Sequence, residues 1–212
     1  MTMAKRLFDL AFAVLTLLLI GPLLLVVALW VRLDSPGPVF FRQQRVGRSG
    51  RLFGIYKFRT MHTGAEAKGL QLTVGADTRV TRAGTWLRSS KVDELPQFFN
   101  VLRGDMSVVG PRPEVPKYVA QYPIEMRSVV LSVRPGITDL ASIAFRNESD
   151  VLARSPDPER AYLEQVLPTK LRWAEQYVRT RSLWLDLRII VWTVLAVLGL
   201  RVALSPLPTD NP

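Results

Sequence analysis

The chain has 212 residues, with 28 Lys and Arg against 18 Asp and Glu, a net charge of +10 at pH 7, no cysteine and a single histidine. The missing cysteines exclude disulfides, thiolate metal sites and thiol nucleophiles, and one imidazole is too few for a histidine-based metal site and hard to build into a Ser-His-Asp triad. The positive balance calls for an anionic partner, whether nucleic acid, anionic lipid headgroups or a phosphorylated substrate, among which charge alone does not choose.

After Lys5, Arg6 and Asp9, every residue from Leu10 to Val31 is uncharged, long enough for a helix to cross a hydrocarbon layer. Gly21-Pro22 lies in the middle of this run, where proline removes a backbone donor and predicts a kink. Both flanks are basic, with Lys5 and Arg6 before the run and Arg32, Arg42, Arg45, Arg48 and Arg51 after it. If basic flanks stay on the cytoplasmic side, a helix that enters, bends at Pro22 and returns satisfies both ends. The expectation is therefore a re-entrant helix-break-helix rather than a straight span. The run is too long for the core of a cleaved signal peptide, and no small-residue cleavage site follows before Asp34-Ser-Pro-Gly-Pro38. Residues 1–34 read as a membrane anchor, 35–204 as roughly one further domain, and 205–212 as a disordered tail.

Beyond the anchor the elements are short. Ser35-Pro-Gly-Pro38 is a turn, and Val39–Arg45 and Leu52–Arg59 read as two strands joined by a Gly-Arg-Ser-Gly loop, a small basic hairpin. His62 sits in a polar loop and reads as solvated, Thr63–Lys68 as helical, and Ala76–Arg79 as a turn. Thr81–Leu102 is helix-rich, with apolar faces from Leu87, Leu95, Phe98, Phe99 and Leu102 broken at Pro96. Pro111, Pro113 and Pro116 force an extended run before a helix of about Val115–Tyr122. Val133–Thr138 reads as a turn that either aims Arg134 at an anion or holds it in a salt bridge. Asp157–Arg179 reads as helical with an interruption near Pro168. The uncharged run Ile189–Leu200 is too short to span a bilayer; with Trp184 and Trp192 it fits an interfacial helix, one docked against the anchor, or an ordinary core helix. The fold class is α+β and helix-rich.

Chemistry concentrates in Lys91-Val-Asp-Glu-Leu-Pro-Gln-Phe-Phe-Asn100 and Gly104-Asp-Met-Ser-Val-Val-Gly-Pro-Arg-Pro113. Two adjacent carboxylates in a basic, partly apolar setting can supply an oxygen nucleophile or hard oxygen ligands for a divalent cation. Arg112, held between two prolines, is pre-ordered for a phosphate. The plainer alternative makes Asp93 and Glu94 first-turn acids of a helix capped by Ser89 or Ser90.

Lys5-Arg-Leu-Phe-Asp9 before a proline-broken apolar segment, Tyr56-Lys-Phe-Arg-Thr-Met61, Asp93-Glu-Leu-Pro-Gln97, Asn100, Gly104-Asp-Met-Ser107, Gly110-Pro-Arg-Pro113 and Arg134-Pro-Gly-Ile-Thr138 occur in one order. Together, over about Lys5 to Leu200, they resemble the bacterial sugar transferase family of small monotopic phosphoglycosyl transferases. The resemblance implies a re-entrant anchor bent at Gly21 and Pro22, with interfacial helices and a catalytic domain on the cytoplasmic face of a bacterial inner membrane. It implies transfer of a sugar-1-phosphate from a nucleoside diphosphate sugar, such as a UDP-sugar, to polyprenyl phosphate, as the first membrane step of polysaccharide or glycoconjugate assembly. Asp93 is the expected nucleophile, forming a covalent phosphosugar intermediate, and Glu94 either binds the metal or orients Asp93. Mg²⁺ is the implied cofactor, with Asp93 and Glu94 as its ligands. Lys57, Arg59, Arg88, Arg112 and Arg134 are the expected phosphate contacts, although Arg88 falls on a different helical face from Asp93 by simple geometry. Gln97, at i+4 from Asp93, and Asn100 are supporting residues.

Two departures from the family pattern stand out: Gly21-Pro22 replaces the Ser-Pro common at the bend, and Asp139-Leu-Ala-Ser-Ile143 replaces Gly-Leu-Ala-Gln. The second bears on nucleotide or sugar contacts, not on phosphoryl chemistry. The expected partners are nucleotide sugar, polyprenyl phosphate and membrane lipid, with no nucleic acid and room for a homodimer. A membrane-tethered nucleic-acid module and a non-catalytic scaffold are the competing classes, and neither accounts for the ordered motif set.

Overall fold

The computed structural model describes residues 2–65, 77–146, 148–200 and 202. The apolar run lies within one helix, α1 (Met3–Asp34), capped by the Thr2 hydroxyl, which accepts from the Lys5 amide. Gly21 and Pro22 sit inside this helix, whose helical backbone runs from Met3 to Asp34. Proline deletes one donor and presses on one carbonyl of a long ladder, and an apolar stretch offers no solvent to compete for the remaining backbone groups. α1 is long and apolar enough to cross a membrane, and its middle projects Leu15, Leu18, Leu19, Leu25, Val26 and Leu29 outward.

Both ends of α1 are tied to the same body. At the start, Arg6 Nη1 donates to the Val101 carbonyl at 2.8 Å, and Lys5 Nζ lies between Asp9 and Asp186 at 2.8 and 2.9 Å. At the end, Val27 and Val31 pack with Phe58, Ala83 and Leu87, and Asp34 Oδ2 accepts from the Ala83 amide at 3.1 Å.

The hairpin forms as expected to within a residue. Strands β1 (Phe40–Val46) and β2 (Leu52–Phe58) pair antiparallel from Phe40 opposite Phe58 to Val46 opposite Leu52. Helix α2 (Arg82–Ser89), a 3₁₀ turn (Val92–Glu94) and α3 (Gln97–Arg103) follow. The helix-rich segment thus breaks already at Lys91, whose φ of 61° is left-handed, before Pro96 is reached. Gly104, at φ 86°, closes α3 in the left-handed position that glycine takes most cheaply.

The segment read as a turn around Arg134 instead supplies a strand. β3 (Ser107–Val109) and β4 (Gly136–Thr138) pair in parallel, and a Cβ on Gly136 would come within 2.1 Å of the Gly110 nitrogen. Glycine there is what allows the two backbones to meet. Short helices α4 (Pro116–Val119), α5 (Ile124–Val130), α6 (Leu140–Ala144), α7 (Glu148–Leu152) and α8 (Pro158–Ala161) lead to a π turn (Tyr162–Val166) and α9 (Leu167–Thr180). The α-helical register is interrupted near Pro168 as expected, and Pro168 itself sits in the first turn of α9. The π turn just ahead of it changes the hydrogen-bond register, so the missing donor falls where the ladder already shifts.

α10 (Leu183–Val197) buries Asp186, Ile189 and Ala196 and exposes Trp184, Leu187, Val191 and Val194, a half-embedded helix beside the start of α1. A central core of Ala13, Ile55, Phe98, Val101, Met106, Val109, Trp173 and Ile189 joins α1, β2, α3, β3, α9 and α10. A second, around Val119, Tyr162, Leu167 and Leu171, holds α4 to α8 and α9. Of the expected Thr63–Lys68 helix, residues 66–68 lie outside the described residues and 63–65 are a turn; Ala76 and the 205–212 tail also lie outside.

Candidate functional site

The carboxylate pair sits on the tight turn between α2 and α3, not in the first turn of a capped helix. The Ser89 and Ser90 hydroxyls donate back to the Trp86 carbonyl, both at under 3.0 Å (2.9 and 2.8 Å), and so close the end of α2 instead of capping the dyad. The Val92–Glu94 turn points Asp93 and Glu94 into a cavity of about 1970 Å³ between the hairpin, α2, α6, α9 and α10. That exceeds the few hundred to about 1,000 Å³ of an ordinary small-ligand pocket, which leaves room for two substrates.

The two carboxylates have opposite surroundings. Glu94 is saturated: Lys57 Nζ lies 2.9 Å from Oε1, Arg112 Nη1 donates to Oε2 at 3.0 Å, and Arg112 Nη2 closes a bidentate fork on Oε1. Burial pushes the Glu94 carboxyl up, but Arg112 and then Lys57 outweigh it and hold it well below the usual range. Glu94 in turn raises Arg112, whereas burial lowers the Lys57 ammonium against the pull of Glu94. Asp93 is 6% exposed and receives no hydrogen bond or ion pair to its carboxylate from any described residue. Burial pushes it up to about 6, opposed by Lys57 and reinforced by the charge of Glu94.

Arg88 also lines the cavity, held by its Nε donating to Thr60 Oγ1 at 2.9 Å. Burial lowers it and Asp93 raises it, so the two sense each other despite their separation on an ideal helix, because the turn at Lys91 folds the chain back. Arg112 is fixed by its own amide, which donates to Asp139 Oδ2 at 3.1 Å, while Asp139 Oδ1 caps α6 through the Ser142 amide at 2.7 Å. Lys57, Arg88, Asp93, Glu94 and Arg112 therefore come together.

Of the other expected site residues, Arg59 also lines the cavity, whereas Arg134, Gln97, Asn100, Gly21 and Pro22 do not. Arg59 spends its guanidinium on the carbonyls of Val31, Ser35 and Pro36 at 3.0, 2.6 and 2.6 Å, completing the C-terminal end of α1. Arg134 Nε donates to the Gly104 carbonyl at 2.6 Å, at the far end of α3 beside Arg6, and does not line the cavity. Asn100 is fully buried: its Oδ1 accepts from the Tyr56 amide at 2.9 Å and its Nδ2 donates to the Gly54 carbonyl at 2.9 Å, which clamps β2 to α3. Gln97 is fully buried as well, with neither amide atom bonded to a described residue. Gly21 and Pro22 stay on the exposed middle of α1, with nothing within 4 Å of a Gly21 Cβ. His62 lies on the cavity rim.

Sequence reasoning missed Asp139 and Arg45. Asp139 carries a signal, an Asp three residues before Ser142 at the start of an apolar stretch, which is an N-cap pattern. Arg45 carries none: its Nη1 donates to the Pro113 carbonyl at 3.0 Å, a contact that only the folded hairpin creates.

The site is an acidic pair beside Lys57, Arg88 and Arg112, in a cavity that Phe12 and Thr16 of the apolar helix α1 also line. The chain belongs to the bacterial sugar transferase family, whose family model matches residues 1–200. It is 41% identical over 204 residues to a UDP-glucose:undecaprenyl-phosphate glucose-1-phosphate transferase of Xanthomonas campestris pv. campestris, a match covering 94% of this chain and 40% of that protein. It is 41% identical over 196 residues to a UDP-N-acetylgalactosamine-undecaprenyl-phosphate N-acetylgalactosaminephosphotransferase of Aeromonas hydrophila, covering 92% and 43%. An exopolysaccharide production protein, PSS, of Rhizobium leguminosarum bv. phaseoli is 39% identical over 210 residues, covering 92% of this chain and 94% of that protein. The chain thus spans about two fifths of the first two relatives and nearly all of the third.

Proposed function

We propose that the protein transfers a sugar-1-phosphate from a UDP-sugar to a polyprenyl phosphate, with Asp93 as the nucleophile. The observation that carries this reading is the contrast within the dyad: Asp93 is buried, unpaired and aimed into a cavity lined by Lys57, Arg88 and Arg112. With a carboxyl near 6 it is ionised at neutral pH yet poorly solvated, the state in which a carboxylate oxygen attacks readily. Asp93 attacks the phosphorus bearing the sugar, the bond to the UMP oxygen breaks, and UMP leaves with the electron pair. A polyprenyl phosphate oxygen then attacks the same phosphorus and expels the Asp93 carboxylate, giving polyprenyl diphosphate sugar. Arg88, Lys57 and Arg112 offset the charge on the phosphate oxygens, with Arg112 and Lys57 pre-ordered by Glu94.

Among the described residues there is no cluster of three or more potential metal-ligating His, Cys, Asp or Glu side chains. Two carboxylates still fit Mg²⁺, which is commonly held by one or two carboxylates together with substrate phosphates. Asp93 and Glu94 would hold it, and it would neutralise charge on the diphosphate. Glu94 can offer an oxygen only by loosening Lys57 or Arg112.

The membrane arrangement follows from α1. A straight 32-residue helix is about 48 Å long, and one crossing a hydrocarbon core of about 30 Å would put its ends on opposite sides. Contacts of one domain with Arg6 at the start and Asp34 at the end support a re-entrant α1, hinged at Pro22, with both ends and the cavity on the cytoplasmic face. A donor made in the cytoplasm and an acceptor confined to the lipid meet at that boundary, which suits a first membrane step of polysaccharide or glycoconjugate assembly.

The test is product analysis. Purified protein with UDP-glucose or UDP-N-acetylgalactosamine, polyprenyl phosphate and Mg²⁺ should release UMP. Release of UDP would mean ordinary glycosyl transfer and overturn the assignment.

A further inference from the structure

The cavity has a second charged end that the phosphoryl chemistry does not use. Glu114 follows Arg112 and Pro113, so its Cα lies within about 7 Å of that of Arg112, roughly the width of one sugar ring. Arg112 turns to the dyad, whereas Glu114 meets a different set of partners. Its Oε1 accepts from the Tyr162 hydroxyl at 2.5 Å and lies 3.8 Å from Lys170 Nζ, and its Oε2 lies 3.6 Å from Arg45 Nη1. Lys170 Nζ also pairs with Glu148 Oε2 at 2.5 Å. All of these residues line the cavity, and Lys170, Glu114 and Glu148 keep 13%, 12% and 24% of their side chains exposed to it or its mouth.

The two neighbouring clusters differ in net charge. Lys57, Arg88 and Arg112 outnumber Asp93 and Glu94, which suits phosphate. Arg45 and Lys170 balance Glu114 and Glu148, which suits an uncharged ligand rich in donors and acceptors. A nucleobase would also want an open aromatic face. Here the Tyr118 and Tyr162 rings pack against each other at 4.8 Å, and Lys170 already covers Tyr162 at 5.0 Å from the ring centroid. A polyol needs hydrogen-bonding groups and no stacking face.

We propose that Glu114, Glu148 and Lys170 form the subsite for the sugar ring of the donor, with the 1% exposed Tyr162 holding Glu114 in place, and that Lys170 and Glu148 set which sugar is accepted by hydrogen bonding to its hydroxyl or acetamido groups. The inference rests on the reading that the donor is a UDP-sugar. It differs from a purely structural tie between α4, α7 and α9 in acting on the sugar and not on the nucleotide.

Equilibrium binding to the full chain in detergent, carrying Asp93→Asn so that the donor is not consumed, with UDP-glucose, UDP-N-acetylgalactosamine and UDP as probes, distinguishes the two. Glu148→Gln and Lys170→Gln should each weaken the preferred sugar nucleotide by about 10-fold or more, as expected for losing a charge-assisted bond to a substrate hydroxyl. UDP should change by less than about 2-fold, since its contacts lie at the other end. A loss of folded protein lowers all three signals together and leaves their ratio unchanged, so the ratio reports the subsite. Equal weakening of UDP and the sugar nucleotides, or no weakening of either, would overturn the proposal. Failure of the chain carrying Asp93→Asn alone to bind any of the three would instead refute the donor class, and this subsite with it.

Discussion

Two charge clusters in this chain each set a lysine beside two carboxylates, the second with Arg112 added, and they differ in how the carboxylates are satisfied. Beneath α1, Lys5 bridges Asp9 and Asp186, and every carboxylate is further satisfied: Ser107 Oγ and the Val108 amide donate to Asp9 at 2.8 and 3.2 Å, and the Tyr177 hydroxyl donates to Asp186 at 2.7 Å. In the cavity, Lys57 and Arg112 both go to Glu94, and Asp93 receives no hydrogen bond or ion pair from any described residue. The first cluster locks the start of α1 and α10 onto β3. The second leaves one carboxylate in a largely buried setting with no hydrogen bond from a described residue to offset its desolvation, a costly arrangement that persists because the surrounding fold imposes it. The difference between the two clusters is what marks Asp93 as the candidate nucleophile.

Removing Asp93 should have the largest effect on chemistry. Asp93→Asn keeps the shape and deletes the nucleophilic oxygen, so turnover with UDP-sugar and polyprenyl phosphate should fall by about 10³-fold or more. The protein should remain folded and retain nucleotide binding.

The mirror-image experiment is Lys5→Met. It leaves Asp9 and Asp186 facing each other without a cation, and breaking a buried pair in this way costs about 3–5 kcal/mol. Thermal unfolding in detergent should show that loss, whereas any surviving folded enzyme should still release UMP. Loss of chemistry without loss of stability would place Lys5 in the site and break the comparison.

Glu94→Gln should fall between these, lowering turnover about 10- to 100-fold. The amide no longer anchors Arg112 and Lys57 electrostatically, while Asp93 keeps its oxygen. Steady-state kinetics of this variant beside Asp93→Asn ranks the two carboxylates.

The smallest effect is a stability difference with a defined sign. Asp93 has a folded value of about 6 against an ordinary 3.8, so its ionisation opposes folding. The penalty is fully present above pH 6, shrinks as the pH falls from about 6 towards 4, and is absent below that. Asp93→Asn should therefore be more stable than wild type by about 1–3 kcal/mol at pH 7–8, with the gap closing near pH 4. Denaturant melts at both pH values check it, and a variant less stable at pH 8 would mean that Asp93 is paired after all.

Local signals carried the hairpin, the helix-rich run around the dyad and the uncharged helix, because each depends on periodicity or on turn residues close in sequence. The parallel pairing of β3 with β4 was not legible: strands of three residues carry little pattern, and their meeting depends on Gly110 and Gly136 coming together across the fold. The basic side chains show the same limit. Arg59 and Arg112 are both expected phosphate contacts from sequence, yet Arg59 lies beside the end of α1, where three carbonyls claim it. Nor does sequence separate Asp9 and Asp186 from Asp93, since partners distant in the chain decide which carboxylate is left unpaired.

The central claim, that Asp93 itself takes up the sugar phosphate, is tested most directly by mixing the protein with UDP-sugar and Mg²⁺ in the absence of polyprenyl phosphate. A burst of up to about one equivalent of UMP should appear and then stall, with the sugar phosphate carried on the protein by intact mass and both signals absent in Asp93→Asn. Turnover that depends wholly on the acceptor, with no burst and no mass increase, would mean direct attack by polyprenyl phosphate and would contradict the account.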